Sequence, residues 1–184
     1  YTKDKAGGYS GGKYGTSNAY VTFSKAGEII TDPEWPGILL DYVEVEFLLA
    51  EAKTRLFNVA GTAKEHYDKG VLASIAYWGG ATADANAYLA DPAVAFATAM
   101  GSTDLEKVAR QKYIAMFNRG HESWVDYRRL DFPVLNVPAN PGGPFPIRYT
   151  YPNAEQTSNG ENYTAAAAAV GGDELTTRIF WDIK

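Results

Sequence analysis

The segment running from Thr103 to Pro133, TDLEKVARQKYIAMFNRGHESWVDYRRLDFP, restricts the fold of this chain more than any other. Thr103 and Glu106 have the spacing of a capping box, which predicts a helix start. Leu105, Val108, Lys112, Tyr113 and Met116 recur at steps of three and four, with Ala109 beside them. They draw one mostly apolar face. Gly120 is free to take the left-handed conformation that ends a helix. Trp124, Tyr127 and Leu130 then share a face, and Pro133 stops it. The expectation is two helices meeting at Gly120, with Trp124 as the large packing residue. Glu122, Asp126, Arg128, Arg129 and Asp131 crowd the second helix. A solvated face is expected for most of them; the alternative is that Arg128 or Arg129 reaches inward to a carboxylate on another helix.

At 184 residues the chain is of one-domain size and can bury a core. Its apolar and charged fractions, 46% and 21%, are those of a globular protein. A net charge of −5 argues against a general nucleic-acid or anionic-membrane binder. Without cysteine there is no disulfide framework, thiol nucleophile or cysteine zinc site. No apolar run reaches the roughly 18 residues of a membrane span. The opening YTKDKAGGYSGGKYG has no initiating methionine, signal segment or lipidation cysteine, and reads as part of a longer protein.

Residues 1–37 are rich in Gly, Tyr and Ser and are expected to be a loop-rich N-terminal segment. Tyr20 to Phe23 is a possible short strand. Trp35, set among turn residues with prolines close by on both sides, is either an edge-packing ring or a rigid platform for a sugar face. A first long helix is expected from Ile38 to Asn58, where Leu40, Val43, Phe47, Ala50, Thr54 and Phe57 keep helical steps. Glu44, Glu46 and Glu51 then lie on or near buried surface, which demands partners. Glu44 and Glu51 form ion pairs to Lys112 or Arg128/Arg129, or else act as a glycosidase acid/base pair; two turns apart, they stand roughly 10 Å from each other.

Thr62 and Glu65 form another capping box, and Gly79-Gly80 closes the helix that they start. Gly70 in its middle implies a close helix–helix approach. Residues 38–79 thus read as a tetratricopeptide-like helical hairpin. An insert follows over 80–102, with a short helix capped by Thr82, and the helices of 103–132 come next. From 133 to 184 the chain is Pro/Gly-rich and expected to be long and irregular, apart from a short helix over Ala165 to Val170. The fold class is therefore mainly α. Tyr77, Trp78 and Tyr88, at the mouth of the insert and within it, join Trp35 as candidate sugar-binding rings.

Catalytic signatures are missing. His66 and His121 do not pair by spacing, the zinc motif begun at His121-Glu122 is broken by Val125, and no phosphate loop or nucleophile elbow occurs. No metal, cofactor or catalytic residue is expected.

The segment QKYIAMFNRGHESWVDYRRLDFPVL resembles the conserved block of the SusD/RagB family, through Gln111, Lys112, Ala115, Phe117, Gly120, Glu122, Trp124, Asp126, Arg128 and Arg129. DYVEVEFLLAEA, with Glu44 and Glu51, is similar to a helix of that family. PFPIRYTYPNAEQTSNGENY, with Arg148 and Tyr151, resembles its terminal segment, and RIFWD, with Trp181, its final tail. The resemblance covers residues 38–184 and implies the C-terminal part of an α-helical, non-catalytic outer-membrane surface lipoprotein. Such a protein captures oligosaccharides and delivers them to a SusC-like TonB-dependent transporter. Its partners would be that transporter, the glycan and the missing N-terminal part of the same protein. A peptide ligand, a purely structural module gripping the transporter, and a carboxylate glycoside hydrolase are the alternatives. Trp124 and Trp181 stand in motif positions and are expected to be structural.

Overall fold

This computed structural model describes residues 1–182, and every regular element among them is an α-helix. The last two residues of the expected tail, Ile183 and Lys184, lie outside the described residues. The order is α1 (Glu28–Thr31), α2 (Tyr42–Thr54), α3 (Ala63–Tyr77), α4 (Thr82–Ala90), α5 (Asp104–Ala115), α6 (Gly120–Leu130), α7 (Asn153–Ser158) and α8 (Gly160–Ala169). They fall into two compact units. One is Gly37–Leu135, and the other is Tyr1–Pro36 with the described residues from Asn136 on.

The helical unit is built on the hairpin α2–α3. Thr62 and Glu65 make the full capping box: the Glu65 carboxylate accepts from the Thr62 N–H at 2.7 Å, and the Thr62 hydroxyl accepts from the Glu65 N–H at 3.2 Å. Gly79, at φ +80°, closes the helix. Helix α2 is shorter than the periodicity of 38–58 suggests. Asp41 is its N-cap, with extended backbone and a side chain that accepts from the Glu44 N–H, so Leu39 and Leu40 precede the helix and are exposed. At the other end Leu56 adopts φ +64°, and Phe57 is exposed as well.

The core consists of Val43, Phe47, Ala50, Tyr67, Val71, Val108, Ala115 and Met116, from α2, α3 and α5 with its C-cap. Phe47 and Tyr67 meet edge-to-face at 6.3 Å, and Tyr67 meets Phe96 at 5.1 Å. The Tyr67 hydroxyl donates to the Val94 carbonyl, which fastens the irregular part of the insert to the hairpin. Thr82 is the first residue of α4 rather than its cap; Ala81 holds the cap position and supplies no side-chain bond.

Helix α5 starts where expected, but its box is displaced. The Thr103 hydroxyl accepts from the Glu106 N–H, whereas the Glu106 carboxylate takes the N–H and hydroxyl of Ser102. Gly120 does not end a helix. The left-handed residue in that turn is Asn118, at φ 64°, and Gly120 opens α6. Asn reaches this region more readily than other residues with a Cβ. Helix α6 ends at Leu130, with Asp131 in the left-handed region.

In the other unit, residues Tyr20 to Phe23 form turns instead of a strand, with the Thr22 N–H bonded to the Ala19 carbonyl. The segment from 133, expected to be irregular apart from one short helix, carries two. Helix α8 extends upstream of the alanine run, as far as Gly160, because the alanines from Ala165 on favour helix strongly enough to prolong it. Gly171 and Gly172, both at positive φ, terminate it as expected. Arg148 is buried; its guanidinium donates to Asp173 at 2.9 Å and to the Tyr149 carbonyl at 2.9 Å. Asp173 also accepts from the Tyr151 N–H, which pins this stretch behind α8. Asp182 pairs with Arg178, and Trp181 is partly exposed.

Gly70 faces Phe47, and a Cβ there would lie 2.9–3.0 Å from three atoms of the ring. Gly70→Ala should therefore destabilise the chain despite alanine's helix preference of about 1 kcal/mol. Overpacking of about 1–3 kcal/mol outweighs it, so the midpoint in thermal unfolding should fall by a few degrees. An unchanged or raised midpoint would mean that the hairpin opens without cost.

Candidate functional site

Three chain turns of the helical unit converge on one polar–aromatic corner. Asp41 ends the segment before α2, Tyr77 and Trp78 end α3, and Phe117 and Arg119 follow α5. Tyr77 and Trp78 pack edge-to-face at 5.0 Å, and Trp78 meets Phe117 at 5.6 Å. The Arg119 guanidinium lies 5.5 Å from the Tyr77 ring centre and is paired with the Asp41 carboxylate. Burial pushes the Asp41 carboxyl up, but Arg119 and the Glu44 amide outweigh it and hold it below its ordinary value. Tyr77 and Trp78 are half-buried and Phe117 is partly exposed, so the corner offers ring surface beside a fixed guanidinium.

Of the four rings singled out from sequence, the structure brings Tyr77 and Trp78 together. Tyr88 packs against the core cluster and donates its hydroxyl to Gln111 at 3.1 Å. Trp35 belongs to the loop-rich unit, half-buried in a turn closed by its own N–H on the Asp32 carbonyl. Sequence reasoning missed Phe117, Arg119 and Asp41 as site residues. Asp41 carried a signal, an Asp three positions before a Glu at a helix start. Arg119 carried none, because its partner is 78 residues away.

The buried acids of α2 are all engaged. Glu51 receives both ends of the Arg129 fork, one at 2.7 Å, and the Nε of Arg55 at 2.8 Å. Arg129 also reaches Asp126 at 2.7 Å, and Asp126 lies 2.7 Å from Lys112. The Lys112 ammonium stands 3.8 Å from Glu44. Glu46 meets His66 Nδ1 at 2.6 Å, and His66 Nε2 lies 2.8 Å from the Ala60 carbonyl. Most charges of α6 therefore do not form a solvated face: Asp126 and Arg129 join this inward network, and Arg128 lies 3.7 Å over the Trp124 ring. Asp131 is the exposed exception.

Glu44 and Glu51 are held apart electrostatically. Burial raises Glu44 above its ordinary value, Lys112 offsets part of this, and the nearby Glu122 and Asp126 charges add to it. Burial also acts on Glu51, but hydrogen bonds and charge from Arg129, then Arg55, bring it below. Among the described residues, no three His, Cys, Asp or Glu side chains are grouped to hold a metal ion. No helix among them is long and apolar enough to cross a membrane.

Residues 1–152 match the SusD-like family model described as starch-binding associating with outer membrane. No curated protein matches. Among solved structures, a Bacteroidetes SusD-like protein is 32% identical, with 81% of this chain and 31% of its own length covered, at a TM-score of 0.66. A chitin-binding SusD homolog from Flavobacterium johnsoniae is 29% identical, with coverages of 79% and 36% and a TM-score of 0.67. A SusD-like protein from Bacteroides thetaiotaomicron is 26% identical, with coverages of 98% and 45% and a TM-score of 0.78. The chain thus spans less than half the length of these structures.

The two acids should answer substitution in opposite ways. A carboxylate whose folded pKa is lowered stabilises above its unfolded pKa, and the gain is lost as pH falls through the folded value. One whose folded pKa is raised adds stability below its unfolded pKa and loses it as pH rises. Glu51→Gln should thus cost about 1–3 kcal/mol at pH 7, and the deficit should vanish in acid below the folded pKa. Glu44→Gln should be neutral or stabilising at pH 7 and match the parent below pH 4.5, its ordinary value. Thermal unfolding of both variants between pH 3 and 8 checks this, and equal losses at pH 7 would refute the assignment.

Proposed function

Since this chain belongs to the SusD-like family, we propose that it is part of a non-catalytic protein of the bacterial outer-membrane surface that captures oligosaccharides. It would deliver them to a SusC-like TonB-dependent transporter, with the remainder of a longer polypeptide completing the protein. The observation that carries this reading is the family match over residues 1–152, whose description is starch-binding and outer-membrane associated. The chitin-binding relative supports glycan as the ligand class.

The site chemistry agrees. Sugars bind through ring faces plus fixed hydrogen-bonding groups in a largely preformed surface. The Tyr77–Trp78 pair beside Arg119 has that composition. A hydrolase needs two free carboxyl groups flanking the scissile bond. Glu51 is locked by two arginines, and Glu44 is walled in beside Lys112, which supports capture over turnover.

Affinity electrophoresis of the 184-residue chain through starch, glycol chitin and polygalacturonate tests the proposal, with an assay for new reducing ends run in parallel. Retention by at least one polysaccharide without cleavage is expected, and Tyr77→Ala and Trp78→Ala should each weaken it about tenfold. Reducing ends abolished by Glu44→Gln or Glu51→Gln would overturn the non-catalytic reading. Full retention in both ring variants would place the sugar elsewhere.

A further inference from the structure

The loop-rich unit holds an open groove of about 620 Å³ formed by residues 12–31. Two tyrosines, Tyr14 and Tyr20, line it and are 67% and 74% exposed. Phe23 also lines it, half-buried. Lys13 and Lys25 also line it, and no carboxylate does. The first 27 residues carry four lysines and one acid, in a chain whose net charge is −5. That acid, Asp4, is consumed by the Ser10 hydroxyl and by the N–H groups of Ala6 and Gly8. Lys25 stands 4.4 Å over the Tyr20 ring, and neither groove lysine makes an ion pair among the described residues.

The groove is built rather than loose. The Asn18 amide accepts from the Lys13 N–H at 2.9 Å and donates to the carbonyls of Lys13 and Thr16. Gly12 is packed so closely on Asn18 that a Cβ would lie 2.5 Å from it. The Ser10 N–H donates to the Ser24 hydroxyl, and the Ser24 N–H to the Ser10 carbonyl. The Tyr14 and Gly15 carbonyls accept from the Ala139 N–H and the Asn140 amide. A loop fixed in this way presents its rings with little ordering left to do on binding.

We propose that this groove is a subsite for acidic oligosaccharide, with a sugar face on Tyr14 or Tyr20 and a uronate carboxylate or sulfate on the Lys13 and Lys25 ammonium groups. The inference rests on the glycan-capture reading above and names the charge class of the ligand. Ring faces attract the C–H edges of a pyranose. Exposed lysines bind anions weakly one at a time, so two lysines and the rings must act together. A neutral glycan would leave both ammonium groups unused.

The test is affinity electrophoresis of the 184-residue chain through polygalacturonate, chondroitin sulfate and starch, at 0.05 and 0.5 M NaCl, with polyglutamate as competitor. Two double variants are compared, Lys13→Gln with Lys25→Gln and Tyr14→Ala with Tyr20→Ala, each checked for unchanged helicity by circular dichroism. Retention by an acidic polysaccharide beyond that by starch is expected, weakened about tenfold by either double variant and reduced at high salt. If starch is retained as strongly, or if either double variant binds the acidic gel like the parent, the subsite is wrong while glycan capture stands. Competition by polyglutamate together with indifference to the tyrosines would make the groove a generic polyanion surface, which also overturns the proposal. No retention by any polysaccharide would overturn both readings.

Discussion

The Arg129 fork on Glu51 is the interaction on which the helical unit turns. The Glu51 side chain is 7% exposed, and an unpaired carboxylate at that depth would cost several kcal/mol. It sits on α2, and the residue that neutralises it comes from α6, 78 positions later. Helix α6 must therefore lie where Arg129 can reach across, and α5 must turn at Asn118 to put it there. Lys112 and Asp126 extend the same constraint to α5, so that the acids of α2 are matched by cations from two other helices. The apolar core alone would tolerate a range of α6 placements. The charge network selects one of them, because each alternative strands a buried group.

Much of this unit was legible in its residues. The capping box at Thr62 and Glu65 and the close approach at Gly70 are local or pairwise signals, and each produced the expected geometry. Helix α2 was overextended for a definite reason. Leu40 and Phe57 fit the helical period, but period counts spacing and cannot detect that Asp41 caps the helix after Leu40. The turn after α5 misled in a similar way: Gly120 is the favoured residue for a left-handed helix end, and Asn118, the next best, came first in the chain. On α6 the density of charge suggested water. Whether a helix face is wet depends on what lies over it, and a one-dimensional reading of α6 holds no information on α2. Past Pro133, proline and glycine density argued against helix. The propensity of the Ala165–Ala169 run was strong enough to carry α8 back to Gly160.

The candidate site was less legible than the fold. Tyr77 and Trp78 could be flagged because adjacent rings at a helix end are visible in sequence. Phe117, Arg119 and Asp41 join them only because three turns separated along the chain meet in space. Tyr88 shows the reverse case, since its position in the insert looked open, yet its ring serves the core and its hydroxyl is taken by Gln111. Chain position supplies candidates for a binding surface, and only the packing tells which rings are left over from stabilising the fold.

The distribution of charge connects fold to function in each unit. In the helical unit the acids of α2 are buried and locked, which fixes the helices around them and leaves Glu44 and Glu51 poorly placed to flank a glycosidic bond. In the loop-rich unit the one acid of the first 27 residues is spent on shaping a turn, while the groove lysines make no ion pair among the described residues and stand beside exposed rings. Capture without turnover asks for this arrangement: rigid supports whose ionisable groups are already satisfied, and a preformed surface whose hydrogen-bonding and ionic capacity is not. A ligand meeting such a surface gains the ionic and stacking contacts at small ordering cost.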